Sequence, residues 1–201
     1  MQVYLRRKGT YISCATVPKY MKKMQLFSVS RRKKPGYVHS AAHKVYDNRL
    51  KQNFHAKKRN RKWCTDFTYL TLADGRKRYN CTIIDLYDRS VIASITDRNI
   101  TSDLGSQYTS REFTEFCIEK GITQSMSKAG YPYDNAPMER YFNTLKTELI
   151  YQHNYRTETE LYSAIEEFAY VHYNHVRPHS YNNYKTPFET RYGRYKPDTK
   201  I

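Results

Sequence analysis

Apolar and polar positions in the middle of the chain form three short segments that are typical of β-strands. Residues 63–70, 79–85 and 91–96 are rich in aromatic and β-branched side chains, which favour a pleated backbone. The pair Asp74-Gly75 separates the first two segments, and the polar residues 88–90 separate the second from the third. Short turns of this kind join antiparallel neighbours, so the pattern predicts an antiparallel meander.

Helical periodicity dominates the rest of the chain. Residues 111–120 predict a helix, 122–126 a short strand, and 127–135 a loop that contains glycine and proline. Three strands followed by helices that alternate with a strand predict an α/β fold, in which functional groups commonly lie at strand ends and helix starts.

Two later helices carry regular apolar stripes. The first has Asn135 as its predicted N-cap, Pro137 in its first turn, and an inner face made of Met138, Phe142, Leu145 and Leu149. The second spans about 158–175, and its predicted inner face consists of Leu161, Ile165, Phe168 and Val171.

Length and composition limit the class of protein. The 201 residues are 39% hydrophobic and contain no apolar run of about eighteen residues, so we expect a globular chain without a membrane helix. The start of the chain has no apolar signal segment. The four cysteines form no CxxC pair, which predicts reduced thiols in a cytoplasmic protein.

The charge is concentrated in the first third of the chain. Residues 1–62 contain 18 Lys and Arg and one acid, a net of +17, whereas residues 63–201 contain 17 Lys and Arg and 18 acids, a net of −1. A basic arm on a nearly neutral body predicts a polyanionic partner, most often a nucleic acid. A solvated tail that only aids solubility is the alternative.

Changes in charge and in apolar content divide the chain into four parts. We expect a partial helix-turn-helix-like segment at 1–28, a basic linker or arm at 29–62, a folded core at 63–192, and a tail at 193–201.

Three acids in the core are candidates for a metal site. Asp66 interrupts a predicted strand of apolar, Thr and aromatic residues, where a carboxylate is costly unless a cation compensates it. Asp103 precedes a polar segment, and Glu139 lies in the first turn of the clearest helix. A cluster of carboxylates suits Mg²⁺, and two such ions can stabilise the oxygens of a reacting phosphodiester. Asp103 could instead be a turn residue, and Glu139 could simply favour its helix dipole.

Four short sequence motifs carry a family resemblance. WCTDFTY at 63–69, GSQYTS at 105–110, DNAPMER at 134–140 and YNHVRPH at 173–179 occur in this order. Together they resemble the DDE transposases of the insertion-sequence-three family, which are similar to retroviral integrases. The resemblance covers about residues 48–192, and a weaker likeness at 11–28 extends to the family's helix-turn-helix region.

The resemblance implies a fold, a site and partners. The fold would be a ribonuclease H-like integrase core, a mixed sheet with helices, preceded by a basic helical arm. Asp66, Asp103 and Glu139 would bind two Mg²⁺ or Mn²⁺ ions and catalyse DNA strand cleavage and transfer. The partners would be transposon ends and target DNA, bound by a homo-oligomer of the chain. The protein would act in the cytoplasm, associated with the nucleoid, and would not bind a membrane. The expected DNA contacts are Lys146, Asn143, Lys128, Gln107, Tyr108, Arg31, Arg32, Lys33, Lys34, Lys57, Lys58 and Arg59.

The spacing of the acids departs from the family pattern. Only 36 residues separate Asp66 from Asp103, and the third predicted strand leads almost directly into GSQYTS. Our hypothesis is an in-frame deletion that removed one helix and one central strand. One alternative function is a catalytically inactive DNA-binding remnant. Another is a basic structural protein unrelated to transposases, which is less compatible with the four motifs. The histidines His172, His175 and His179, in and beside the last motif, also raise the hypothesis of a zinc site, although no CxxC pair accompanies them.

Overall fold

The computed structural model describes residues 1–27, 46–98, 108, 110–126 and 132–193. Within this part of the chain, one sheet contains three antiparallel strands in the order β1-β2-β3. These are β1 (Trp63–Thr71), β2 (Lys77–Asp85) and β3 (Val91–Asp97). The predicted meander is confirmed, because each strand lies within a few residues of its predicted position.

The register of the sheet follows from the two tight connections. Trp63 pairs with Asp85 and Thr71 with Lys77, so β1 and β2 form a continuous ladder around the turn at Gly75. Gly75 has a φ of 85°, a backbone conformation that costs glycine little. β2 and β3 pair from Tyr79–Asp97 to Ile84–Val91, with an irregularity at Ile83 and Ile84.

Six α-helices occur in the described residues. They are α1 (Gln2–Arg7), α2 (Thr16–Lys23), α3 (Arg111–Glu119), α4 (Ala136–Glu148), α5 (Glu158–Glu166) and α6 (Pro187–Tyr192). Short 3₁₀ turns precede and follow α4, at Pro132–Asn135 and Ile150–Gln152, and another lies at Ser180–Asn182. α5 starts with a capping box in which Thr157 and Glu160 exchange side-chain and backbone hydrogen bonds.

The hydrophobic core lies between the sheet and the two long helices. β1 and β2 contribute Leu70 and Ile84, while α4 and α5 contribute Met138, Leu145 and Leu161, all at most 2% exposed. Each apolar stripe therefore meets the sheet, and burial of such side chains stabilises the fold by about 1.5–3 kcal/mol apiece. α4 is thereby held against β1, the strand that carries Asp66.

The second long helix departs from its predicted inner face. α5 continues directly as a π-helix over Glu167–Val176, in which hydrogen bonds span five residues instead of four. The wider turn changes the angular spacing, so Ala169 and Tyr173 are buried whereas Val171 is 53% exposed. The expectation that Val171 faces inward was therefore wrong.

Two smaller expectations also differ from the structure. Residues 122–126 form no strand, since the short segment after α3 makes its described bonds through turns and side chains. Asn135 stands at the N-cap position of α4, but its side chain makes no capping bond there. None of the described helices is long and apolar enough to cross a membrane.

Candidate active site

Asp66 lies in the middle of β1, opposite Thr82 of β2. Its side chain is half-buried, and its Oδ1 accepts a hydrogen bond of 2.8 Å from the backbone N–H of Phe67. That bond fixes the carboxylate close to the strand backbone. The strand thus holds an anionic oxygen at a defined position, and the metal-binding role of Asp66 stays a prediction.

Glu139 lies in the first turn of α4 and is also half-buried. The start of this helix touches β1, because the Asn135 side-chain amide donates to the Thr65 carbonyl oxygen over 3.4 Å. Glu139 is one helical turn after Asn135, and Asp66 is the residue after Thr65. The structure therefore brings the backbone segments that carry the two acids into direct contact.

Asn143 and Lys146 follow Glu139 along α4, four and seven residues later, where helical geometry aligns side chains on one face. The Lys146 ammonium lies 5.2 Å from the ring centre of Tyr69, three residues beyond Asp66 in β1. Asn143 Oδ1 accepts a bond of 3.3 Å from the Thr147 hydroxyl. Helix and strand therefore run side by side, with the Asn135–Thr65 bond at the start of α4 and the Lys146–Tyr69 contact near its end.

Tyr108 packs against the strand beside Asp66. Its ring lies 5.3 Å from Phe67 and 5.5 Å from Phe113, and its hydroxyl is 2.9 Å from the Thr65 hydroxyl. Burial raises the pKa of the Tyr108 hydroxyl well above its usual range, so this group remains protonated. Sequence reasoning listed Tyr108 only as a DNA contact and missed its packing on β1; that DNA contact stays a prediction.

The thiols around Asp66 are poor metal ligands at neutral pH. Burial raises the pKa of Cys64 to about 11; Arg89 opposes this rise and the Asp66 carboxylate adds to it. Burial likewise raises the pKa of Cys81. Because only thiolates ligate metals strongly, the donors of this region are carboxylate oxygens, which suit Mg²⁺ or Mn²⁺.

Several predicted site residues fall outside the described part of the chain. These are Asp103, Gln107, Lys128, Arg31, Arg32, Lys33 and Lys34. Among the described residues, no group of three or more His, Cys, Asp or Glu side chains is arranged to hold a metal ion. His172, His175 and His179 are included in that finding, so the zinc hypothesis receives no support.

Part of the basic arm predicted at 29–62 lies within the described residues. Lys57, Lys58 and Arg59 are exposed, and the Arg59 guanidinium lies 5.8 Å from the ring centre of Tyr192. The neighbouring Asn60 N–H donates to Asp85, which anchors the end of the arm to the sheet. The exposed cations therefore stand on a segment fixed to the folded core.

Comparison with known proteins gives consistent relatives. A family model described as Integrase core domain matches residues 120–187. The transposase for insertion sequence element IS904 of Lactococcus lactis subsp. lactis (strain IL1403) is 31% identical over 208 residues, covering 91% of this chain and 82% of that protein. The protein InsK for insertion sequence element IS150 of Escherichia coli (strain K12) is 30% identical over 217 residues, covering 96% of this chain and 76% of that protein.

These alignments are longer than the part of the chain that they cover. For the Lactococcus relative, 91% of 201 residues is about 183, so about 25 of the 208 aligned positions have no residue in this chain. For InsK, 96% is about 193, which leaves about 24 of 217 positions without one. Transposase InsF for insertion sequence IS3A of Escherichia coli (strain K12) is 27% identical over 202 residues, covering 88% of this chain and 70% of that protein. In this alignment too, about 25 positions have no residue in this chain.

Proposed function

The chain belongs to the transposases of the insertion-sequence-three type, which carry an integrase core, and we propose that it cleaves and joins DNA strands at the ends of an insertion sequence. The observation that carries this proposal is the contact between the start of α4 and β1, which brings the segments bearing Asp66 and Glu139 together.

We further propose that Asp66, Asp103 and Glu139 hold divalent metal ions. The described donors fit such ions, because both carboxylates are half-buried on rigid elements and the adjacent thiols are protonated. Two Mg²⁺ or Mn²⁺ ions bound there would stabilise negative charge on the attacking and leaving oxygens of the phosphodiester.

The number of residues between Asp103 and Tyr108 limits how far Asp103 can lie from this site. Tyr108, five residues later, contacts Thr65, the residue next to Asp66. Five residues span at most about 17 Å when extended. The Tyr108 contact therefore supports the proposal that Asp103 can serve as the third ligand even though the connection from β3 is short.

The other side chains of α4 would bind and orient DNA. Lys146 would attract a backbone phosphate near the two acids, and Asn143 would donate a hydrogen bond to it. The Phe67 N–H bond would keep the Asp66 carboxylate oriented. The exposed cations Lys57, Lys58 and Arg59, with the basic residues before them, would bind the backbone of the same DNA without reading its sequence.

We also retain the hypothesis of a deletion between Asp66 and Asp103. In the alignment with each of three relatives, about 25 positions have no residue in this chain, and one helix with one strand is a segment of about that length. Since Asp66 and Glu139 lie outside the predicted gap, the proposed site would lose a supporting strand but none of its acids.

The deciding experiment is a strand-transfer assay with oligonucleotides that carry the ends of the element encoding this chain, in Mg²⁺ or Mn²⁺. We expect the wild-type protein to join these ends to target DNA, and we expect Asp66→Asn and Glu139→Gln to abolish joining while DNA binding persists. Asp74→Asn, an exposed turn acid, is the matched control and should retain activity. Wild-type protein that binds DNA but joins no more than Asp66→Asn would overturn the catalytic proposal and leave a DNA-binding remnant.

A further inference from the structure

A pocket of about 540 Å³ lies behind the start of α4, on the side where Arg140 projects. Its walls come from α4, from the end of β2 with the following turn, and from the segment after the π-helix. Among the described residues that line it are the three arginines Arg89, Arg140 and Arg177, and these lining residues include no carboxylate. A pocket of this size can contain a ligand larger than a simple ion.

The positive charge of this pocket is only partly neutralised. Arg177 donates two hydrogen bonds of 2.8 Å to Glu148, so this arginine has a counter-ion. Arg89 and Arg140 form no ion pair with any described residue. The pocket therefore presents two arginines that form no ion pair within the described part of the chain, although the Asp85 carboxylate acts on Arg89 electrostatically.

Arg89 is the more unusual of the two because it is only 9% exposed. Its Nη2 donates to the Phe54 carbonyl over 2.9 Å, and its guanidinium lies 4.0 Å from the ring centre of Tyr181. Its Nη1 is buried and has no hydrogen-bond partner among the described residues. A buried guanidinium with an unused donor is costly, and an anion in the pocket would reduce that cost.

His179 responds to the same positive environment. Burial and the charges of Arg177, Arg89 and Arg140 lower its pKa to about 4, so the imidazole is neutral near pH 7. His179 therefore adds no positive charge to the pocket near pH 7, and the arginines carry its charge.

We propose that this pocket binds a phosphate group of the DNA strand that reaches Glu139. Guanidinium groups bind phosphate by paired hydrogen bonds, which makes arginine the favoured side chain for this ligand. Arg140 directly follows Glu139 on α4, so the pocket lies beside the helix face that carries Glu139, one residue away along the same helix. This inference rests on the proposed function for the identity of the ligand, and it assigns to Arg89 and Arg140 a role that sequence reasoning missed.

The first test compares Arg140→Gln with Arg156→Gln in DNA binding at several salt concentrations. Both residues are exposed, and both changes remove one positive charge. Loss of one phosphate contact should lower the slope of log affinity against log salt by about one and weaken binding severalfold. We expect this for Arg140→Gln, while Arg156→Gln keeps the wild-type slope; equal slopes in the two variants would overturn the proposal.

A second pair of variants tests the opposite wall. Ser180 lines the pocket and is exposed, so Ser180→Asp would place a carboxylate among the arginines, while Ser163→Asp adds the same charge on α5. We expect Ser180→Asp to weaken DNA binding clearly more than Ser163→Asp. Similar affinities, together with unchanged melting temperatures, would overturn a phosphate site in the pocket.

The source of the phosphate is tested with inorganic phosphate against chloride at matched ionic strength. We expect both inorganic phosphate and a short oligonucleotide to raise the melting temperature of the wild type more than that of Arg140→Gln. Stabilisation by inorganic phosphate with no variant effect on DNA binding would overturn the DNA assignment. Asp66→Asn separates this inference from the proposed function, because loss of strand transfer in that variant leaves the salt slopes unchanged.

Discussion

Asn135 donates its side-chain amide to the Thr65 carbonyl oxygen over 3.4 Å, which joins the start of α4 to β1. Each partner lies close in sequence to a predicted metal-binding acid, since Glu139 follows Asn135 by one helical turn and Asp66 follows Thr65 directly. The two acids come from segments 73 residues apart in the chain, so this contact sets how their elements lie relative to one another.

Asn135→Ala should impair strand transfer more than it impairs stability. The hydrogen bond is long, and a typical bond contributes about 0.5–1.5 kcal/mol, so we expect a small loss in the free energy of unfolding. A displacement of one acid by about 1 Å can lower a rate by roughly a hundredfold. Chemical denaturation and the strand-transfer assay measure the two effects. Asn154→Ala, at an exposed position, is the control, and a rate loss no greater than in this control would contradict the positioning role.

Arg191→Ala should strongly destabilise the fold. Arg191 of α6 donates to Asp85 over 2.6 Å and to Asp88 over 2.7 Å, and both carboxyl groups are fully buried. Removing the arginine leaves two buried charges uncompensated, which costs about 3–5 kcal/mol for a buried pair. Urea denaturation should show this loss.

The comparison for Arg191 is Arg111→Ala, which breaks the exposed Arg111–Glu115 pair on α3. Exposed pairs of this kind contribute about 0.5 kcal/mol or less. Similar urea midpoints for the two variants would show that the negative charge of the buried carboxylates does not depend on Arg191 for its compensation.

The fold was predictable where local pattern and tertiary packing agree. The three strands and the α4 stripe follow directly from alternation and periodicity, and Met138, Phe142 and Leu145 are buried as expected. Val171 was predicted wrongly because α5 continues as a π-helix that contacts β3, and the prediction assumed the α-helical spacing throughout.

Candidate acids were easier to find than their supporting contacts. Asp66 stood out because an acid is unusual in an apolar strand, and Glu139 because it opens a clear helix. Asn135 has a side chain that suits an N-cap equally well, and only the approach of β1 offers it the Thr65 carbonyl instead. The arginines of the pocket come from distant segments, so their convergence could not be deduced from spacing.

Acid should selectively weaken the cluster around Glu158. Hydrogen bonds from Arg78 and then Arg98 lower the pKa of Glu158 from 4.5 to about 2. A carboxyl whose folded-state pKa is lowered contributes stability above its unfolded pKa, and that contribution is lost as the pH falls from about 4.5 to about 2. The difference in urea midpoint between wild type and Glu158→Gln should therefore be constant near neutral pH and shrink across this window. Glu166→Gln serves as control, and a difference that stays constant down to pH 2 would contradict the assignment.

Asn174→Ala should loosen the start of β3. The Asn174 side chain accepts from the Val91 N–H and donates to the Val91 carbonyl, both over 2.9 Å. Alanine leaves both backbone groups without these partners, which should cost about 2 kcal/mol. Amide hydrogen exchange gives a local measurement with an internal control. Exchange at Val91 should accelerate more than exchange at Thr82 in β2, and equal acceleration would indicate global destabilisation instead.

The double variant Lys57→Gln/Lys58→Gln should reduce the salt dependence of DNA binding without reducing stability. Both lysines are exposed and donate to no described residue, so their removal leaves no buried group unpaired. If each contacts a phosphate of duplex DNA, the slope of log affinity against log salt should fall by about 1.8 in magnitude. Lys120→Gln/Lys185→Gln removes the same charge from exposed positions beyond the basic arm and should keep the wild-type slope. Binding measured over a series of salt concentrations checks both double variants. Equal slopes would show that Lys57 and Lys58 do not contact DNA, because a general effect of charge would change both slopes alike.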